Sequence, residues 1–74
     1  MARGWIHTTY RDPLWVNVVE GSESPLSSHL TKSEAVEHGR KLAIRAGTEH
    51  VVHNRDGSIA YRNTYGPDPY PPAG

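Results

Sequence analysis

The chain has 74 residues, no cysteine, and eight basic against eight acidic side chains, for a formal net charge of zero. That length makes one domain, which buries roughly 60% of the surface its unfolded form exposes. Without cysteine there is no disulfide framework and no thiolate site for zinc or an iron-sulfur cluster. The cancelled charge removes the long-range pull toward phosphate backbones that marks many nucleic-acid binders. The opening MARGWIHTTYRD lacks the apolar core of a signal peptide, and no run has the length to cross a bilayer. A soluble protein with the cytoplasm as its default location is the expectation.

Residues 5–10 and 15–20 are rich in β-branched and aromatic side chains and flank Arg11, Asp12, Pro13 and Leu14. They predict a hairpin, because proline fixes its own φ and pushes the preceding residue out of the helical region. Residues 21–29, GSESPLSSH, are small and polar with Pro25 among them, and read as a solvated connection without periodicity.

The strongest local signal is a helix. Thr31 stands as N-cap with Glu34 three residues on, the spacing of a capping box, and Leu30 and Ala35 are placed to staple the first turn. On a helical wheel Ala35, Val36, Gly39, Leu42, Ala43 and Ala46 share one face, with Glu34, Glu37, His38, Lys41 and Arg45 opposite. This narrow stripe of small residues lets the helix approach a sheet closely. Such an approach would account for a mid-helix glycine that costs about 1 kcal/mol against alanine. Glu37 and Lys41 form an i,i+4 pair, Ile44 is an apolar point outside the stripe, and Gly47 supplies a left-handed C-cap.

Residues 49–54 and 58–65 flank Arg55-Asp56-Gly57, where Gly57 can take the positive φ of a tight turn, so a second hairpin is expected. The predicted fold is α+β and two-layered. It is a four-stranded antiparallel sheet of order ββαββ over residues 1–65, with one helix on one face and a proline-rich tail over residues 66–74. Alternation sets Ile59, Tyr61, Asn63 and Tyr65 on one side of the last strand, expected to face inward. The tail GPDPYPPAG holds four of the six prolines and cannot join a ladder. It reads as a rigid terminal segment that lies along the domain or is disordered, and the sharper alternative is a recognition tail with Asp68, Tyr70, Pro71 and Pro72 as its candidate residues.

Several pieces taken in order carry a family resemblance. They are Trp15 in the second strand, the helix start Thr31-Lys32-x-Glu34-Ala35, and Val51-Val52-His53 ahead of Asp56-Gly57. The last is the ending Tyr65-Gly66-x-Asp68-Pro69-Tyr70-Pro71-Pro72-x-Gly74. Together they resemble the domain-of-unknown-function 2188 family of small bacterial and phage proteins over nearly the whole chain. The connection over residues 21–29 is longer, and the first strand less hydrophobic, than that resemblance leads one to expect. It implies a compact ββαββ domain to which the tail belongs, and it implies no activity, so no catalytic residues carry over.

The side chains themselves contain no catalytic constellation. Asp12, Glu20, Glu34, Glu49 and Asp56 fall at turns, strand ends or the outer helix face, where carboxylates stay solvated. The serines Ser22, Ser24, Ser27 and Ser28 form no nucleophile elbow. Five histidines, His7, His29, His38, His50 and His53, invite a metal reading. His50 and His53 are three apart on a strand, however, and so point to opposite faces, and neither metal nor cofactor is expected. The best candidate surface is the sheet face turned from the helix, with Trp5, His7, Tyr10, Trp15, His53 and Arg62 as its binding residues. The expectation is a non-enzymatic module that binds a protein partner or a second copy of itself, helped by exposed edge strands, with no membrane and no small-molecule substrate. The alternative is a nucleic-acid module that stacks bases on the aromatic sheet face.

Overall fold

A computed structural model describes residues 4–66, and the tail residues Asp68, Tyr70, Pro71 and Pro72 lie outside that range. The first hairpin forms where the sequence places it. β1 (Ile6–Arg11) and β2 (Leu14–Val19) are antiparallel and turn at Asp12-Pro13, with Arg11 opposite Leu14 and Ile6 opposite Val19.

The connection that follows corrects the sequence reading, because it contains a strand. β3 (Pro25–His29) pairs antiparallel with β2, Trp15 opposite His29 and Asn17 opposite Ser27, with a bulge near Val18. Its composition, PLSSH, carries none of the β-branched residues that signal a strand. It is held by the ladder and by Asn17, whose Nδ2 donates to Ser27 Oγ at 3.0 Å. Pro25 sits at the first position of this edge strand, where its missing N–H costs nothing.

The helix α1 (Lys32–Ala46) is bounded as its sequence indicates. Thr31 Oγ1 accepts from the Glu34 N–H at 3.2 Å, and Gly47 closes the helix at φ 66°, ψ 48°. The staple does not form, since Leu30 is 80% exposed. Ala35, Gly39 and Ala43 are the buried stripe, Val36 and Leu42 are half-buried, and Ala46 is exposed. On the outer face Glu37 meets Arg40 at 2.9 Å and Lys41 at 3.9 Å.

The second hairpin, β4 (Glu49–His53) and β5 (Ile59–Thr64), turns through Gly57 at φ 97°. Asp56 anchors that turn by accepting from the Ser58 N–H at 2.9 Å and its hydroxyl at 2.7 Å. The Ser58 backbone bond, and then the hydroxyl, holds the Asp56 carboxyl below its ordinary value.

The sheet order is β3-β2-β1-β4-β5, and β1 lies parallel to β4, with Ile6 beside His50 and Thr8 beside Val52. The four-stranded antiparallel expectation is therefore replaced by a five-stranded mixed sheet in which α1 is a crossover between two strands of like direction. A helix after β3 delivers the chain at the correct end to run alongside β1, which a hairpin cannot do. α1 packs on β1, β2, β3 and β4 but makes no comparable contact with β5. Every residue of β5 is exposed, which corrects the expected inward set of Ile59, Tyr61 and Asn63; Tyr65, just past the strand, is half-buried.

The interior under α1 is mixed. Ile6, Trp15, Ala35, Ala43 and Val52 are its apolar part, and Thr8, Asn17 and His50 are its polar part, none of the three more than 1% exposed. The Thr8 hydroxyl donates to Asn17 Oδ1 at 2.5 Å and accepts from His50 Nε2–H at 2.7 Å. Asn17 Nδ2 donates to Ala35 O in the helix at 2.9 Å. Among the described residues no buried side-chain polar atom is left without a partner. Gly39 stands over this group. A Cβ there would fall within 3.0 Å of Asn17 Oδ1, Thr8 Oγ1 and His50 Nε2.

Burial holds the His50 imidazole below the ordinary histidine value of 6.5, with smaller contributions from His7 and Arg40. Below about pH 6.5 the unfolded chain takes up a proton that native His50 refuses, so stability falls as pH drops through that region and levels off below the lowered native value. His50→Gln, which keeps an N–H for Thr8, is expected to flatten this part of the curve. Thermal midpoints of both chains between about pH 7.5 and about pH 5 check it, and parallel curves would count against a neutral His50.

Candidate functional site

Alternation fixes which side chains leave the sheet on the side away from α1. Because Thr8, Asn17 and His50 point under the helix, their strand neighbours His7, Thr9, Val16, Val18, Val51 and His53 project from the other face. Val16, Val18 and Val51 are its apolar centre, each below a tenth exposed. The register places Val51 between His7 and Arg62, two longer side chains that shield it.

Four of the six residues expected on this face are there: Trp5, His7, His53 and Arg62. Tyr10 and Trp15 are not. They form a cross-strand pair on the helix side, ring centroids 5.2 Å apart, with Lys32 of α1 5.2 Å above the Trp15 ring. Tyr10 is further engaged at the hairpin end, where its hydroxyl accepts from Arg55 at 3.0 Å and donates to Asp12 at 3.0 Å. An aromatic platform spanning both strands therefore does not exist. The cause is parity, since Trp5, just ahead of β1, and Tyr10 within it are five apart and cannot share a face.

Two charged clusters organise the helix-distal face. At one, the Arg62 guanidinium meets Glu49 at 2.7 Å and lies 5.4 Å from the Trp5 ring, while the Thr64 hydroxyl donates to the same carboxylate at 2.8 Å. Glu49 is only 9% exposed, which corrects its reading as a solvated carboxylate: Arg62 and Thr64 satisfy it where it lies. At the other, His7 Nδ1 and His53 Nε2 are 2.8 Å apart, Glu20 bonds His7 Nε2, and His53 Nδ1 donates to Gly57 O at 3.1 Å. Beside this pair a shallow depression of about 250 Å³ is lined by Thr9, Val18, Gly21 and Ser22.

A family model described as an uncharacterized protein conserved in bacteria, DUF2188, matches residues 6–65. The chain belongs to the DUF2188 family. That match takes in all five strands, the helix and, apart from Trp5, both charged clusters of this DUF2188 chain. No curated protein and no solved structure matches it.

The DUF2188 sheet also separates the histidines that looked alike in sequence. His50 and His53 do face opposite ways, and His50 is buried under α1. His29 and His38 meet at the β3 side of the helix, ring centroids 5.1 Å apart. The pairing of His7 with His53 and the part of Glu20 were not foreseen. Both depend on the parallel β1–β4 contact, and the only trace in sequence is a histidine at an alternating position in each strand. No described helix is long and apolar enough to cross a membrane.

Proposed function

We propose that this DUF2188 chain is a non-catalytic interaction module that pairs with a second copy of itself through β5. The observation that carries this reading is that α1 stops short of β5, so all six of its residues are exposed, with Ile59 at 61% and Tyr61 at 46%. An edge strand offers a row of unpaired N–H and C=O groups to another chain. Charged edge side chains usually defend against this, but the one cation of β5, Arg62, is drawn onto Glu49 and Trp5 of its own sheet. A zero net charge leaves no long-range repulsion between copies.

The nucleic-acid reading has less support. It needs a run of aromatic rings and free cations on one face, whereas Tyr10 and Trp15 lie on the helix side and Arg62 is ion-paired. Sedimentation velocity over a range of concentrations tests the proposal. A reversible dimer insensitive to salt, lost in Tyr61→Lys with the fold intact, is the expected result. A monomer at all concentrations that binds a single-stranded oligonucleotide in a salt-dependent manner would replace it with the alternative.

A further inference from the structure

His7 and His53 stand 46 residues apart and meet because β1 runs beside β4. Both rings are held at their outer nitrogen. His53 Nδ1–H donates to the Gly57 carbonyl and His7 Nε2–H donates to the Glu20 carboxylate. The two remaining nitrogens, His7 Nδ1 and His53 Nε2, then face each other across 2.8 Å. Two lone pairs cannot face one another so closely, and one positive centre must lie between them. The ring centroids are 5.0 Å apart, which exceeds the nitrogen separation by 2.2 Å, the span of two ring radii. With 26° between their planes, the rings therefore meet edge to edge, nitrogen toward nitrogen. Metal-binding histidines characteristically give their other N–H to a carboxylate or a backbone carbonyl, which fixes the tautomer and aims the lone pair. This pair has one of each.

We propose that His7 Nδ1 and His53 Nε2 are the ligands of a two-histidine site for a divalent transition cation of the zinc, copper and nickel class, with Glu20 and Gly57 O as its anchors. Imidazole suits these ions, whereas calcium and magnesium require oxygen. Nitrogens about 2.0–2.1 Å from a tetrahedral zinc lie roughly 3.3 Å apart. The rings must therefore part by about 0.5 Å and tilt toward the neighbouring depression, where water completes the coordination. Entry of the cation releases to solvent the proton that the two nitrogens otherwise share. Glu20 bonds the far side of His7, and among the described residues no third histidine, aspartate or glutamate is placed to ligate the ion, so the ion is exchangeable.

Zinc chloride titrated into the untagged chain, at concentrations below those of self-association, tests the site without reference to the dimer. Heat and imidazole ¹⁵N shifts are the readouts. One ion per chain is expected, with the shifts at His7 Nδ1 and His53 Nε2, and His7→Gln or His53→Gln should abolish it. Glu20→Gln keeps both ligands and should weaken binding roughly 10- to 100-fold, which decides the matter if a ligand variant fails to fold. His29→Ala with His38→Ala should leave binding unchanged. Zinc that does not bind the folded chain would overturn the proposal, as would binding that survives loss of His7 and His53 or disappears with His29 and His38.

Discussion

Gly39→Ala is expected to lower stability by about 1–3 kcal/mol, the usual cost of forcing an extra methyl group into a filled interior. The sign is what makes the result informative, because the same change in an open helix raises stability by about 1 kcal/mol. Here the methyl group would come within 3.0 Å of three polar atoms at once. None of those atoms is the free end of a long side chain. Thr8 and His50 sit on adjacent parallel strands, and Asn17 is tied to Ser27 and to Ala35 O. To make room, α1 must rise from the sheet or the polar group must break. Urea unfolding measures the difference, and a midpoint above that of the parent chain would show that the helix lies less tightly on the sheet than the geometry requires.

Asn17→Ala is expected to cost more, about 3 kcal/mol or above. Its carboxamide accepts from Thr8 and donates to both Ser27 Oγ and Ala35 O, joining β1, β3 and α1. Removal takes the acceptor from the buried Thr8 hydroxyl proton, at about 1–3 kcal/mol, strips one donor each from Ser27 Oγ and Ala35 O, and leaves a cavity where the side chain stood. A domain of this size has a total stability of order 4–11 kcal/mol, so the loss is a large share of the whole. The two substitutions should not add. Without Asn17 Oδ1 one of the three collisions at Gly39 is gone, so Gly39→Ala should be milder in the Asn17→Ala background. Strict additivity in the double-variant unfolding curves would mean that the residues do not share a site.

This polar group also explains why part of the fold was legible and part was not. Thr31 and Gly47 act within a few residues of themselves, so the helix bounds could be read from local chemistry. Gly57 and Asp12-Pro13 likewise announce their turns. β3 has no such local signature, because it is held by its ladder with β2 and by the bond that Asn17 on that strand gives Ser27. The parallel contact of β1 with β4 is longer in range still. The sequence says that two hairpins exist but not which strand of one lies beside which strand of the other. Everything placed across that contact followed it out of view, including His7 against His53 and His50 beneath Thr8. Asn17, the one polar residue within the otherwise apolar LWVNVV, and His50 beside the two valines of EHVVH were the available signals, with a mid-helix glycine to meet them.

The candidate face was half legible for a related reason. Period-2 alternation correctly separates His50 from His53, and the same rule, applied to Trp5 against Tyr10, is enough to split the aromatic set. Tyr10 and Trp15 oppose each other across the hairpin, so they move together, and both went to the helix side. What remained on the distal face is less aromatic and more ion-paired than expected. This shifts the weight of the functional reading from the middle of the sheet to its β5 edge.

The association edge is tested most directly by following the amide spectrum of the ¹⁵N-labelled chain on dilution. Pairing through β5 predicts concentration-dependent shifts along residues 59–64 and at the Trp5 indole, with the outer face of α1 around Glu37, Lys41 and Ile44 unchanged. Shifts confined to that helix face or to β3, or a spectrum that does not depend on concentration, would contradict it.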